Sequence, residues 1–406
     1  MTIRRSIVHM DLDTFFVSCE RLLDSRLNAK PILIGGTSDR GVVASCSYET
    51  RLFGVHSGMP MKMAKMLCPE AIIIRGNSST YSKFSHSVTD IIKENSPTYE
   101  KTSIDEFYID LTGMDKFFGC LKLATEIRGK IMKETGLPIS FGLSENKTVS
   151  KVATGEAKPN NQLLIDYGNE KPFLAPLSIK KIPMIGDKTY QELRNLGVRL
   201  IKTLQEMPIE IMEKAFGKNG ILIWKKSNGI DNSPVIQHNE RKSISTERTF
   251  NKDTIDVIKL KTILTAMSEN LAFQLRNGNK LTACVSVKLR YSDFNTFTLQ
   301  QKIPYTSSDH IIIPVIHSLF EKLYNRRLLV RLIGVRFSNL VNGCFQMSLF
   351  EDTLKYFNLY SSMDHLRNRF GERSVIRASG FGAKTIGRGM NHFNGDSPLL
   401  LANRKQ

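Results

Sequence analysis

Ser6-Ile7-Val8-His9-Met10-Asp11-Leu12-Asp13-Thr14-Phe15-Phe16 opens the first regular stretch of the chain. Its apolar half, residues 6–10, reads as a short strand, and the run from Phe15 and Phe16 through Glu20 to Leu23 reads as a helix. Asp11 therefore stands where a strand gives way to a helix. Working outward, residues 31–34 form a second strand stopped by Gly35-Gly36, and residues 41–45 a third, leading into a helical turn at 48–53. A helix over 81–94 ends before Ser96-Pro97, and a hairpin follows. Its arms are 99–102 and 107–111 and its tip is Ser103-Ile104-Asp105-Glu106; Phe107, Ile109 and Leu111 alternate on one face, the period of a half-buried strand. An amphipathic helix over 121–134 and a strand over 137–143 complete an alternating α/β layout.

Past Pro172 and Pro176 the texture changes. Ile182-Pro183-Met184-Ile185-Gly186-Asp187-Lys188, with a helix running on to Leu196-Gly197-Val198, reads as a helix-hairpin-helix. Such a turn offers backbone N–H groups at Ile185 and Gly186, and the Lys188 cation, to a DNA phosphate. Residues 228–240, polar and broken by Gly229 and Pro234, read as a linker. Beyond lies an α+β pattern: helix 258–276, strands 282–291 and 294–303, helix 311–324 and strand 330–337. The last stretch is less regular, with a helix at 364–370 and a loose, glycine-rich segment at 378–394.

A chain of 406 residues is too long for one core and calls for two to four domains. An apolar fraction of 41% with 24% charged residues excludes wholesale disorder. No uninterrupted apolar run approaches the roughly 20 residues of a membrane span, and no signal core follows Arg4-Arg5, so a cytoplasmic protein is expected. The six cysteines are scattered without metal-ligand spacing, which speaks against zinc and a disulfide framework. The net charge of +18 favours a polyanionic partner. The excess is concentrated: residues 240–340 hold 16 Lys/Arg against 8 Asp/Glu, a net of +8.

Carboxylates gathered at strand ends repel one another, so Asp11 beside Asp105 and Glu106 would call for cations. Oxygen ligands favour Mg²⁺ or Mn²⁺, and two such ions about 3.5–4 Å apart serve phosphoryl transfer. Tyr48 and Arg51 share a helical face, Arg51 has the forked donor suited to phosphate, and Lys158 adds a cation before Pro159.

Four motifs in order carry a family resemblance. Residues 7–20, Ile7-Val8-His9-Met10-Asp11-Leu12-Asp13-Thr14-Phe15-Phe16-Val17-Ser18-Cys19-Glu20, resemble the first catalytic motif of the Y-family DNA polymerases. Ala44-Ser45-Cys46-Ser47-Tyr48-Glu49-Thr50-Arg51 resembles their fingers motif, and Ser103-Ile104-Asp105-Glu106-Phe107 their second carboxylate motif. Phe141-Gly142-Leu143-Ser144-Glu145-Asn146-Lys147 with Lys151, and Ala157-Lys158-Pro159-Asn160, resemble the end of their palm. Within the family the chain is most similar to the UmuC-type UV-damage repair polymerases of Gram-positive bacteria and their phages or mobile elements.

The resemblance implies a right-hand polymerase of multidomain α/β and α+β class. Its parts would be a palm (1–27 and 79–168), fingers (28–78), a helical thumb with the hairpin (169–235), a little finger (240–345) and a tail of unassigned role (351–406). It implies error-prone translesion synthesis on primer–template DNA from deoxynucleoside triphosphates, with two Mg²⁺ ions or Mn²⁺ in their place. Asp11, the Leu12 carbonyl, Asp105 and Glu106 would be the catalytic and metal groups. Phe15, Phe16, Tyr48, Arg51 and Lys158 would line the nucleotide, Phe16 as steric gate. Val42 and Ala44 would form a small-residue roof over the nascent pair. Asp13 is read as structural, because some relatives carry Asn there. Gln346-Met347-Ser348-Leu349-Phe350 resembles the sliding-clamp pentapeptide, with Gln346, Leu349 and Phe350 as contacts, and accessory damage-response proteins are further expected partners. A nucleotide cyclase or a silent DNA- or clamp-binding subunit would have less use for this combination.

Overall fold

A computed structural model of the chain describes residues 4–38, 40–114, 119–237, 240–343, 353–371 and 374–383. It divides at residues 238/239 into two compact units. Among the described residues no helix is long and apolar enough to cross a membrane. The five described cysteines are buried free thiols.

The first unit begins with strand β1 (Ile7–Leu12) and helix α1 (Phe15–Leu23). A three-stranded sheet follows, made of β2 (Ile32–Gly35), β3 (Val43–Cys46) and, after α2 (Tyr48–Arg51) and α3 (Met61–Leu67), β4 (Ile72–Ile74). It has its own small core of Leu33, Val43, Cys46, Val55, Met61 and Ala64. Then come α4 (Ser78–Asn95), β5 (Thr98–Lys101), β6 (Glu106–Asp110), α5 (Cys120–Thr135), β7 (Ile139–Ser144), α6 (Lys147–Ala157) and β8 (Gln162–Leu164). The large sheet runs β5-β6-β1-β7-β8, so β1 is central and both its neighbours are antiparallel to it.

Strand alternation decides what faces where. Val8, Met10 and Leu12 of β1, with Phe107 and Ile109 of β6, enter the core that also holds Ile91 and Ile92 of α4 and Ile127 and Ile131 of α5. His9 and Asp11 point the other way, to α6 and the turn after it: His9 Nδ1 meets Thr154 Oγ1 at 2.9 Å and Asp11 meets Lys158. Helix α6 can lie this close because β7 carries glycine at the crossing. A Cβ on Gly142 would stand 2.3 Å from the Ser150 carbonyl oxygen.

A helical bundle closes the unit: α7 (Glu170–Leu174), α8 (Asp187–Asn195), α9 (Ile201–Glu206), α10 (Ile209–Phe216) and α11 (Lys218–Ser227), around Leu174, Leu193, Ile201, Leu204 and Met212. The first arm of the hairpin is a single 3₁₀ turn, Ile179–Lys181, shorter than a helix-hairpin-helix reading expects. The segment read as a linker is partly fastened. Asn146 Nδ2 donates to the Gly229 carbonyl, Thr148 Oγ1 to Asp231, and the Ile236 amide to Glu100.

The second unit is built from β9 (Ser243–Thr254), α12 (Val257–Asn277), β10 (Lys280–Tyr291), β11 (Thr296–Thr306), α13 (Asp309–Leu323), β12 (Val330–Asn342) and α14 (Thr353–Phe370). The antiparallel sheet runs β11-β10-β12-β9 and its core lies against α12 and α13. Two elements differ from the sequence reading. Strand β9 is additional, and α14 begins at Thr353 instead of residue 364.

Candidate active site

The two acidic segments meet at one end of the large sheet. Asp11 on β1 lies opposite Glu106 on β6 in register, and the Leu12 amide donates to the Asp105 carbonyl at 3.1 Å. Glu106 is thus the first residue of a strand, and Asp105 the last of the connecting tip. The hairpin turn is held by Ser103, whose hydroxyl donates to Asp105 Oδ1 at 2.5 Å and accepts from the Glu106 amide at 3.0 Å.

Each carboxylate has a partner. Lys158 Nζ donates to Asp11 Oδ1 at 2.5 Å, and Lys151 Nζ bridges both Glu106 oxygens at 2.7 and 2.8 Å. Among the described residues no three acidic, His or Cys side chains close on one point as a metal cage. Burial raises the Asp11 carboxyl to about 7; Lys158 opposes the rise and Asp105 and Glu106 add to it. The Asp105 carboxyl is also raised, first by burial, with the Ser103 hydrogen bond opposing. Three acids crowded at one sheet end, balanced by two lysines and presenting only oxygen, fit a hard divalent cation.

Except for Lys158, the residues expected to line a nucleotide are carried by α1 and α2. Arg21 of α1 donates to both oxygens of Glu49 at 2.9 and 3.0 Å, fastening α2 across α1. Ser47 caps α2 through the Thr50 amide. Arg51 lies over the Tyr48 ring at 4.9 Å, and the Tyr48 hydroxyl points at Asp13 Oδ1 from 3.5 Å. Phe15 and Phe16 are buried, and the Phe16 ring stacks on Tyr81 at 4.5 Å and 16°. Tyr81 itself is held by its hydroxyl, which donates to Glu20 at 2.6 Å. Sequence reading put Tyr81 only at a helix start and gave Lys151 no role, because neither contact has a local signature. Val42 is half exposed.

In the helical bundle, Gly186 caps α8 and Lys188 is exposed, but the Ile185 side chain is buried and its amide donates to the Ile182 carbonyl. Gln346, Leu349 and Phe350 lie outside the described residues.

Comparison with known proteins now decides the family. The impB/mucB/samB family matches residues 10–155 and its C-terminal domain matches 241–349. A DNA polymerase IV of Dehalococcoides mccartyi is 38% identical over 379 residues, 92% of this chain and 97% of that protein. The chain belongs to the Y family of DNA polymerases. Similar proteins named DNA polymerase IV occur in Lactococcus lactis, 38% identical over 82% of this chain and 94% of that one, and Treponema denticola, 32% identical over 84% and 87%. Among solved structures, a Y-family chimera of Dbh and Dpo4 superposes with a TM-score of 0.75 at 26% identity, covering 83% of this chain and 99% of that chain. This Y-family chain has the multidomain right-hand fold, and its activity is DNA-directed DNA synthesis of the translesion type, which requires a divalent metal.

Proposed function

We propose that Asp11, Asp105, Glu106 and the Leu12 carbonyl form the catalytic centre and hold two Mg²⁺ ions, with Mn²⁺ able to replace them. The observation that carries this is the pairing of Asp11 with Glu106 beside Asp105, on the sheet face that also receives Lys151 and Lys158. When bound, the cations supply charge stabilisation to the attacking and leaving oxygens. The chain's own residues do the rest. Lys158 moves from Asp11 to the triphosphate, Arg51 and Tyr48 orient the phosphates from α2, and Phe15 and Phe16 form the floor beneath the sugar. The Phe16 ring, backed by Tyr81, denies space to a 2′-hydroxyl, and Val42 and Ala44 leave room for distorted bases.

The palm occupies 1–27 and 79–168, the fingers 28–78, the thumb 169–235 and the little finger 240–345. Gly186, Lys188 and the turn at Ile185 meet a phosphate of primer–template DNA. DNA and nucleotide as substrates are supported by a solved insertion ternary complex of the similar Dbh polymerase. Residues 346–350 bind the sliding clamp through Gln346, Leu349 and Phe350, and accessory damage-response proteins join them; the protein works in the cytoplasm. The UmuC-type subclass rests on the motifs, whereas the matched relatives carry the name DNA polymerase IV.

Mn²⁺ binding to the nucleotide-free protein tests the centre. Ligation needs an ionised Asp11, whose proton leaves near pH 7, so affinity should climb with pH up to about 7 and then level. Asp105→Ala removes a ligand and should cost at least the roughly 10–100-fold seen for outer-shell changes. Unchanged Mn²⁺ affinity in the folded variant would remove Asp105 from the site.

A further inference from the structure

Asp13 has surroundings more specific than packing requires. Its side chain is 2% exposed. One oxygen, Oδ2, accepts from Ser140 Oγ at 2.8 Å and from the Asn160 amide at 2.6 Å. The other, Oδ1, accepts from the Tyr48 hydroxyl at 3.5 Å and lies 3.8 Å from Lys158 Nζ. The backbone is fixed as well: its amide donates to the Pro138 carbonyl at 2.9 Å, and its carbonyl accepts from Ser18 Oγ at 2.7 Å. One residue thus joins α1, β7, the turn after α6 and the first residue of α2.

The two oxygens divide the work. Oδ2 fastens the Lys158-Pro159-Asn160 turn to the sheet, and so fixes the root of the Lys158 side chain. Oδ1 presents negative charge to Tyr48 and Lys158, which come from segments far apart in sequence. A buried anion is expensive unless its partners use it. A neutral acceptor could still accept from Ser140 and Asn160, though more weakly than a carboxylate does. At Oδ1 the charge also faces a cation, Lys158, which a neutral acceptor would not attract.

We propose that Asp13 is a positioning residue for the incoming triphosphate, a shared anion that keeps the Tyr48 hydroxyl and the Lys158 ammonium, once the latter leaves Asp11, on one side of the site. The inference rests on the reading that Tyr48 and Lys158 contact the triphosphate, and it adds the group that aligns them. Asp13 itself touches no substrate. Its loss should therefore weaken nucleotide binding more than it slows the chemical step.

Asp13→Asn separates the two oxygens. The amide oxygen can keep the Ser140 and Asn160 bonds, while an N–H₂ group without charge replaces Oδ1. In single-nucleotide incorporation on undamaged primer–template, the KM for nucleotide should rise about tenfold, the worth of a charge-assisted hydrogen bond, with kcat changed less than about threefold. The same substitution in a Lys158→Ala or Tyr48→Phe background should have an effect reduced to about threefold or less, because the partner is already gone. Should Asp13→Asn not fold, Tyr48→Phe probes the contact from the other side, and a wild-type KM there removes Tyr48 from the arrangement. Lys158→Ala with raised KM beside Asp13→Asn with unchanged KM overturns the proposal and leaves the triphosphate reading standing. Lys158→Ala with unchanged KM overturns that reading instead. A tenfold rise that persists undiminished in both partner backgrounds shows that Asp13 acts by some other route, and also overturns the proposal.

Discussion

Phe16 meets Tyr81 face to face, and Tyr81 is pinned by Glu20, so the ring proposed as the gate is backed by a rigid wall. A wall matters because exclusion by bulk works only if the ring cannot retreat. Phe16→Ala should raise ribonucleotide relative to deoxyribonucleotide incorporation by roughly tenfold or more, since a clash with the 2′-hydroxyl is removed. The same change empties a buried site and should lower stability by about 3–5 kcal/mol. The incorporation ratio must therefore be measured where the variant is folded. An unchanged ratio would make Phe16 a packing residue. At this scale the sequence shows the acids that meet at the sheet end and the placing of Tyr48 and Arg51 on one helical turn, because strand ends and helical spacing are local. It does not show Lys151 on Glu106, Lys158 on Asp11 or Tyr81 behind Phe16. Those contacts depend on α6 crossing the sheet at Gly142 and on α4 packing against α1.

Helix α14 shows how an element can be hidden. Its inward side is Tyr360, Asp364 and Arg367, polar residues that give little apolar periodicity, so only its end is legible. They are buried because they are paired. Arg276 of α12 donates to Asp364 at 2.5 Å and to the fully buried Asp309 at 2.7 Å, while Arg367 reaches Glu269 at 3.3 Å. Strand β9 was obscured differently: Glu247, Arg248, Lys252 and Asp253 interrupt its β-formers, as suits an edge strand exposed on one face. Arg276→Ala should destabilise the second unit by about 3–5 kcal/mol, because two buried carboxylates lose their nearest partner and keep only Arg377 and Arg367, each at 3.5 Å. Asp364→Ala should cost less, since Arg276 keeps Asp309. Calorimetry is the suitable probe, for the single tryptophan, Trp224, lies in the first unit. Equal and small losses in both variants would show that α14 is held by apolar contact alone.

The whole molecule carries +18, which suits a polymerase that grips its substrate through phosphates and would lose affinity steeply with salt. Charge marked the partner class from sequence alone, and the order of motifs marked the family, but composition could not distinguish a catalyst from a silent DNA-binding subunit. That distinction lies in the carboxylates. The direct measurement is primer extension opposite a damaged template base by wild type and by Asp11→Ala, with DNA affinity measured on the same samples. Wild type should extend the primer, and Asp11→Ala should fall by at least roughly 10²–10³-fold, as lost transition-state charge stabilisation dictates, with DNA affinity unchanged within about threefold. Appreciable extension by folded Asp11→Ala would contradict the account.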